Sequence, residues 1–194
     1  MKGGGRRAAR RKSLVERRVG GKWIYRGNLL KVRRDTVRLP DRTTAVREYI
    51  RHPGAVAIIA ITDSGDLVME RQYRYPLGRD MIELPAGKID PDESPLATAR
   101  RELREETGYT ASRWRHVATI HLAIGYSDER IEIYLARGLK HEGAKLDVEE
   151  FLEVFTLPLA TALEWVHDGK ITDSKTVAGL FWAEKILSGA WRAR

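Results

Sequence analysis

The stretch from Gly87 to Tyr109 constrains this chain more than any other. It reads G-K-I-D-P-D-E-S-P-L-A-T-A-R-R-E-L-R-E-E-T-G-Y. Its skeleton is Gly87, Glu93, Arg101-Glu102-Leu103, Glu105-Glu106 and Gly108 before the apolar ring of Tyr109. Ser94-Pro95 starts a helix, with a hydroxyl at the N-cap and proline at the first helical position. Gly108 stops it, because glycine takes the left-handed C′ conformation freely. Between these ends Leu96, Ala99 and Leu103 fall on one narrow apolar face. Glu102, Glu105 and Glu106 stand at i, i+3 and i+4, so three carboxylates share another face.

Clustered carboxylates repel one another by a few tenths of a kcal/mol per pair on a helix. A Glu-rich helix face is ordinarily just a solvated face. The glycine-containing loop Leu84-Pro85-Ala86-Gly87 ahead of this helix, and the fixed spacings, point instead to oxygen ligands for a hard divalent cation.

Composition narrows the class. At 194 residues, 42% of them apolar, the chain is long enough for one core-bearing domain with an added N-terminal lobe. Zero Cys excludes disulfide and thiol chemistry and fits a reducing cytoplasm, the expected location. No apolar run approaches the ~20 residues that span a bilayer, and no apolar segment follows the basic N-terminus as in a secretory signal. Neither a membrane nor a leader is therefore expected.

The net charge of +8 is unevenly spread, with +7 of it in residues 1–18. The expectation is a disordered basic tail over 1–18, a small β-sheet lobe over 19–52 and a catalytic domain over 53–194. The tail reads as a solubilising extension, with contact to RNA or another polyanion as the alternative.

Along the chain, strands are expected at Lys22–Tyr25, Leu29–Leu39 and Thr43–Ile50, forming an antiparallel N-terminal sheet. Ala55–Thr62 is a continuous apolar run typical of a buried central strand, and a second strand follows the Asp63-Ser64-Gly65-Asp66 turn through Tyr73. Asp80–Leu84, His116–Ile124, Arg130–Ala136 and Phe151–Thr156 read as further strands. Helices are expected near Leu159–His167 and Ser174–Leu187. Strands, a helix, strands and then helices give α/β or α+β.

The spacing G-x5-E-x7-R-E-U-x-E-E-x-G-U, with U apolar, is the signature of the Nudix hydrolases, and the chain resembles that family with no departure at any fixed position. A chance match of the fixed Gly, Glu and Arg positions is on the order of one in 10^5. The resemblance implies a mixed β-sheet α/β/α sandwich and Mg²⁺-dependent hydrolysis, with Mn²⁺ as a possible substitute. By the same resemblance Glu102 and Glu106 are principal metal ligands, Glu105 a ligand or catalytic support, and the Ala86 carbonyl a backbone ligand. Arg101 and Glu93 brace the loop against the helix.

Outside the signature, Met69–Pro76, Ile82–Asp90, Gly125–Glu129 and Gly169-Lys170-Ile171-x-Asp173-x-Lys175-Thr176 are similar to the ADP-ribose pyrophosphatase branch. One position departs: Ile124 stands where that branch usually has proline. The implied substrate is a nucleoside diphosphate derivative, foremost ADP-ribose cleaved to AMP and ribose 5-phosphate. GDP-mannose, ADP-glucose or another nucleotide sugar is the enzymatic alternative. A non-catalytic module binding ADP-ribose or RNA is the reading from a different class. The branch implies a general base on a loop after the signature, here Glu149 or Glu150, with Glu142 behind them. Arg51 and Arg74 are candidate phosphate clamps, Glu129 a candidate ribose acceptor, and Trp23, with Tyr25, a candidate adenine stack if the N-terminal sheet crosses to a partner in a homodimer.

Overall fold

In the computed structural model residues 13–143 and 151–191 are described. The chain divides into two compact units, residues 1–51 and 52–194.

The first unit is an antiparallel three-stranded sheet: β1 (Arg17–Arg26), β2 (Lys31–Arg38) and β3 (Thr44–Ile50), in that order. β1 is longer than the sequence suggests and takes in Arg17 and Arg18 of the basic segment. A carboxylate explains the extension. Asp35 of β2, 3% exposed, gathers the Arg18 and Arg33 guanidinium groups and the Tyr49 hydroxyl. Glu16 just ahead of the strand receives a two-pronged contact from Arg47.

The second unit is built around β4 (Ala55–Ala60), which is buried at every position. Alternate residues of a strand point to opposite faces. Accordingly Ala57 and Ile59 enter one hydrophobic cluster, and Val56, Ile58 and Ala60 enter another. β4 pairs in parallel with β9 (Arg130–His141) and antiparallel with β7 (Ala86–Lys88). β8 (Tyr109–His121) completes a mixed sheet of order β7-β4-β9-β8. A second, antiparallel sheet has β5 (Leu67–Arg74) between β6 (Arg79–Glu83) and β10 (Leu152–Leu157).

Helix α1 (Pro95–Thr107) covers the Val56 side of the mixed sheet with Ala99 and Leu103. Helices α2 (Leu159–His167) and α3 (Ser174–Leu187) cover the other side with Ala162, Leu180 and Ala183. This is the helix–sheet–helix layering expected of the family.

The ends of α1 match the sequence reading. The Ser94 hydroxyl accepts from the Ala97 amide at 3.3 Å, and Gly108 takes φ 71° with its N–H on the Arg104 carbonyl at 2.9 Å. Two departures stand out. β7 has only three residues and no apolar signal, being recruited to β4 by backbone pairing. β8 starts at Tyr109, directly after the helix stop, rather than near His116. Its first half is polar and partly exposed, so it lacks the alternation that marks a half-buried strand.

Leu103 is fully buried where α1 meets the sheet. Leu103→Ala is expected to lower unfolding free energy by about 2–5 kcal/mol, read by chemical denaturation. A loss below about 1 kcal/mol would mean that α1 is not held by this contact.

Candidate active site

The site forms where the chain leaves β6, turns through Leu84-Pro85-Ala86-Gly87 and meets α1. The turn is tied down at three points. The Pro85 carbonyl accepts from the Ile58 amide at 2.9 Å, fastening the loop to the central strand. The Leu84 amide donates to the buried Thr176 hydroxyl at 2.9 Å, and that hydroxyl donates to Asp173 at the N-cap of α3. The Ala86 amide donates to the Glu106 carboxylate at 3.1 Å. Gly87 allows a close approach. A Cβ on that residue would overlap the Glu102 carboxylate, so glycine is required for Glu102 to lie against the loop.

Glu102 and Glu106 are 8% and 5% exposed, although both are carboxylates on a helix. Burial without compensation would be costly. Part of the compensation is Arg101, which contacts Glu102 at 3.0 Å, Glu105 at 3.1 Å and Glu93 at 3.0 Å. It also donates to the Lys88 carbonyl at 3.4 Å, so one guanidinium joins the loop, the helix start and the helix middle. The Thr98 hydroxyl adds a bond to Glu93 at 2.8 Å, and these donors hold the Glu93 carboxyl below its usual pKa. Glu105 is the more open of the three helix carboxylates and lies against Arg101.

Two acids that sequence reasoning gave no role complete the site. Glu70 on β5 and Glu83 on β6 are register partners, 3% and 4% exposed. Like charges directly opposite are unfavourable, and the two residues are relieved differently. Glu83 receives the Arg74 fork at 2.7 and 2.9 Å and an ion pair from Lys175, which also holds Asp173 at 2.9 Å. Burial opposes ionisation of Glu83, but these cations outweigh it and its pKa is lowered.

Among the described residues Glu70 makes no ion pair, and Lys175 and Arg74, which bind Glu83, only weakly favour its charge. Burial pushes its pKa up to about 8, against the pull of a hydrogen bond with Glu106. Two carboxyl groups can share such a bond only with a proton between them. The other Glu70 oxygen, Oε1, is buried with no partner among the described residues. The available signal was Glu70 itself, a carboxylate closing the apolar run Leu67-Val68-Met69.

The remaining sequence candidates are placed as follows. Arg74 lies in the site with its guanidinium engaged by Glu83. Glu129 is 3.8 Å from the His52 ring. Trp23 and Arg51 belong to the first unit, where Trp23 has Arg33 and Arg26 over its ring at 4.9 and 5.3 Å. Glu142 receives Lys140 at 3.0 Å, and its amide donates to the Gly108 carbonyl at 2.7 Å. Glu149 and Glu150 lie outside the described residues. Ile124 is 82% exposed in the turn between β8 and β9.

These residues fit a hard divalent cation. The residues that the sequence proposes as donors, Glu102, Glu106 and the Ala86 carbonyl, offer only oxygen, and the Ala86 amide bonds Glu106. Among the described residues no three side chains form a closed cation cage.

Comparison with known proteins places this geometry. Residues 51–178 match the NUDIX domain, and residues 16–50 match the nucleoside diphosphate sugar hydrolase N-terminal domain. The chain belongs to the Nudix hydrolase family, whose members generally use divalent metals. It is 42% identical over 168 residues to the methanol dehydrogenase activator of Bacillus methanolicus, covering 86% of this chain and 91% of that protein. It is 40% identical over 167 residues to the ADP-ribose pyrophosphatase of Bacillus subtilis (strain 168), covering 85% and 90%. A crystal structure of an ADP compounds hydrolase superposes with a TM-score of 0.83 at 27% identity, over 94% of this chain and all of that one.

The raised pKa of Glu70 yields a signed prediction for the metal-free protein. Below the ordinary carboxylate value of 4.5 both folded and unfolded Glu70 carry the proton, and its contribution to stability is fully present. Between 4.5 and about 8 the unfolded chain ionises while the folded one retains the proton, so stability is lost as pH rises. Glutamine cannot ionise. In EDTA, Glu70→Gln should therefore gain Tm on wild type progressively over that window and show no such gain at pH 4, by scanning calorimetry. A difference that does not change with pH would exclude a perturbed Glu70.

Proposed function

We propose that this chain hydrolyses ADP-ribose to AMP and ribose 5-phosphate with Mg²⁺, as a cytoplasmic homodimer. The observation that carries the reaction is the pair of buried carboxylates Glu102 and Glu106, held against a loop whose Gly87 leaves room for one and whose Ala86 amide binds the other. The substrate rests on the ADP-ribose pyrophosphatase of Bacillus subtilis and on the ADP compounds hydrolase structure. The homodimer is supported by the apolar side chains Ile24, Tyr25, Leu29 and Leu30 exposed on the first unit. No described helix is long and apolar enough to cross a membrane.

In this reading water attacks one phosphorus of the diphosphate, a P–O bond to water forms, and the bridging P–O bond breaks to release the second phosphate. Glu102, Glu106, the Ala86 carbonyl and Glu105 as support would hold Mg²⁺. The ion supplies neutralisation of the diphosphate and a lowered pKa for the attacking water. The protein does the positioning, which carries most of the catalysis in phosphoryl chemistry. Arg101 and Glu93 fix the helix start, Thr176 fixes the loop, and Lys175 with Arg74 keeps Glu83 ionised. We assign proton removal from water to Glu149 or Glu150, and substrate contacts to Arg51, Arg74, Glu129 and Trp23. Arg74 would then leave or share its bond with Glu83 when phosphate arrives.

Two observations favour a second reading, another nucleoside diphosphate sugar such as GDP-mannose or ADP-glucose. Residues 16–50 match an N-terminal domain named for that substrate class, and Ile124 departs from the ADP-ribose branch.

Product analysis with Mg²⁺ over ADP-ribose, GDP-mannose, ADP-glucose, NADH and a diadenosine polyphosphate separates these readings. The expected result is the highest kcat/KM for ADP-ribose, with AMP formed. A higher value for GDP-mannose would replace the substrate while retaining the chemistry. Glu106→Gln should lower kcat by at least about 10^3-fold while circular dichroism stays unchanged. Near-native turnover of that variant would refute the metal assignment.

A further inference from the structure

A second concavity of about 690 Å³ lies away from the buried glutamates, along β8, the edge strand of the mixed sheet. Its size is that of small-molecule pockets. Arg100 of α1, Arg113 and Arg115 of β8 and Arg137 of β9 line it, with Trp114 between them and Ile186 of α3 at one side. Among the described residues, no acidic side chain lines it. Arg100 is two residues before Glu102, about 200° around the helix, so the two serve different faces.

Three observations set these arginines apart from a solvated basic surface. First, none of the four has an ion pair among the described residues, whereas Arg71, Arg74, Arg101 and Arg130 of the same unit each hold a carboxylate. Second, Arg113 and Arg137 are direct register partners, an unfavourable like-charge pair across two strands. Third, the Arg137 Nε is buried without a hydrogen-bond partner. Only one other side-chain atom among the described residues shares that condition, the Glu70 Oε1 in the active site. Buried unpaired polar atoms of this kind call for a missing ligand, ion or water.

Charged side chains on an edge strand also serve to block edge-to-edge pairing. That accounts for Arg113 and Arg115, which are exposed on β8. It does not account for Arg137, because β9 lies inside the sheet between β4 and β8.

We propose that this cleft is a binding site for a small molecule carrying a diphosphate or two phosphate groups, separate from the catalytic site. Guanidinium groups match phosphate oxygens bidentately, and several of them lining one cleft without counter-charge select for more than one negative charge. An occupant there would neutralise the Arg113–Arg137 pair and give the Arg137 Nε an acceptor. It would also touch α1 through Arg100, on the helix that carries Glu102 and Glu106, which makes it a candidate effector.

The test is titration calorimetry of the full chain with inorganic pyrophosphate in EDTA at low salt, so that no divalent cation recruits the probe to the catalytic carboxylates. Saturable binding of one pyrophosphate per chain is expected, weakened at least about tenfold in Arg113→Gln/Arg137→Gln. Turnover of ADP-ribose by that variant without pyrophosphate should be unchanged. Should the double variant fail to fold by circular dichroism, Arg100→Gln/Arg115→Gln, on exposed side chains, must show the same loss. The proposal falls if wild type shows no saturable binding, or if folded variants bind as wild type does. It also falls if Glu106→Gln, rather than the arginine variants, abolishes binding, which would put the probe in the catalytic site. Preferential binding of single-stranded RNA over pyrophosphate would overturn the small-molecule assignment.

Discussion

Four carboxylates, Glu70, Glu83, Glu102 and Glu106, are each less than a tenth exposed, and hydrogen bonds or register pairing link Glu70 to Glu83 and to Glu106. A medium of low polarity strengthens every repulsion between them and penalises each ionised group. Most of the surrounding structure answers that constraint. Arg74 and Lys175 neutralise Glu83, Arg101 contacts Glu102, and a hydrogen bond joins Glu70 to Glu106. These answers come from different parts of the chain. Lys175 lies on α3 and Arg74 on β5, so the acids draw distant elements to one point. The burial of each acid is thus matched by cations or hydrogen-bond partners drawn from other elements.

The hydrophobic framework makes such crowding tolerable by fixing geometry from two sides. β4 sends alternate residues into two separate clusters, so the helices on either face are referenced to one strand. The same strand takes the Pro85 carbonyl and pairs with Ala86–Lys88. The loop that carries Ala86 and the helix that carries Glu102 and Glu106 are therefore held by a common element. A packed interior deforms little, which keeps the separation between loop and helix fixed without a dedicated cross-link.

How much of this was legible in the sequence follows from the range of each interaction. α1 was read to within a residue because its signals are local: Ser94-Pro95 at one end, Gly108 at the other, and a narrow apolar face between. α2 and α3 were legible for the same reason, and β4 through its uninterrupted apolar run. β7 and the first half of β8 were not, since pairing with a distant strand rather than side-chain alternation defines them. In the site, the helix glutamates, Arg101 and Glu93 could be found from spacing on one short segment. Glu70, Glu83, Lys175 and Thr176 could not, because their meaning lies in contacts across as many as 92 positions of chain, such as Lys175 to Glu83. Each is an ordinary polar residue in its own neighbourhood.

The late motif Asp173-x-Lys175-Thr176 then acquires a physical reason. The Asp173 carboxylate caps α3, accepting from the Thr176 amide at 3.0 Å and its hydroxyl at 2.6 Å, while Lys175 bridges Asp173 to Glu83. The same hydroxyl receives the Leu84 amide. One helix start thus fixes both the ionisation of Glu83 and the path of the backbone two residues before Ala86. Serine could supply the hydroxyl but not the buried methyl of a residue with no exposed surface. Arginine could supply the charge of Lys175, but its wider planar head does not match a compact ammonium held between two carboxylates. A stretch far from the signature thereby belongs to the same site, tied to it through backbone and charge rather than through contact with the reacting atoms.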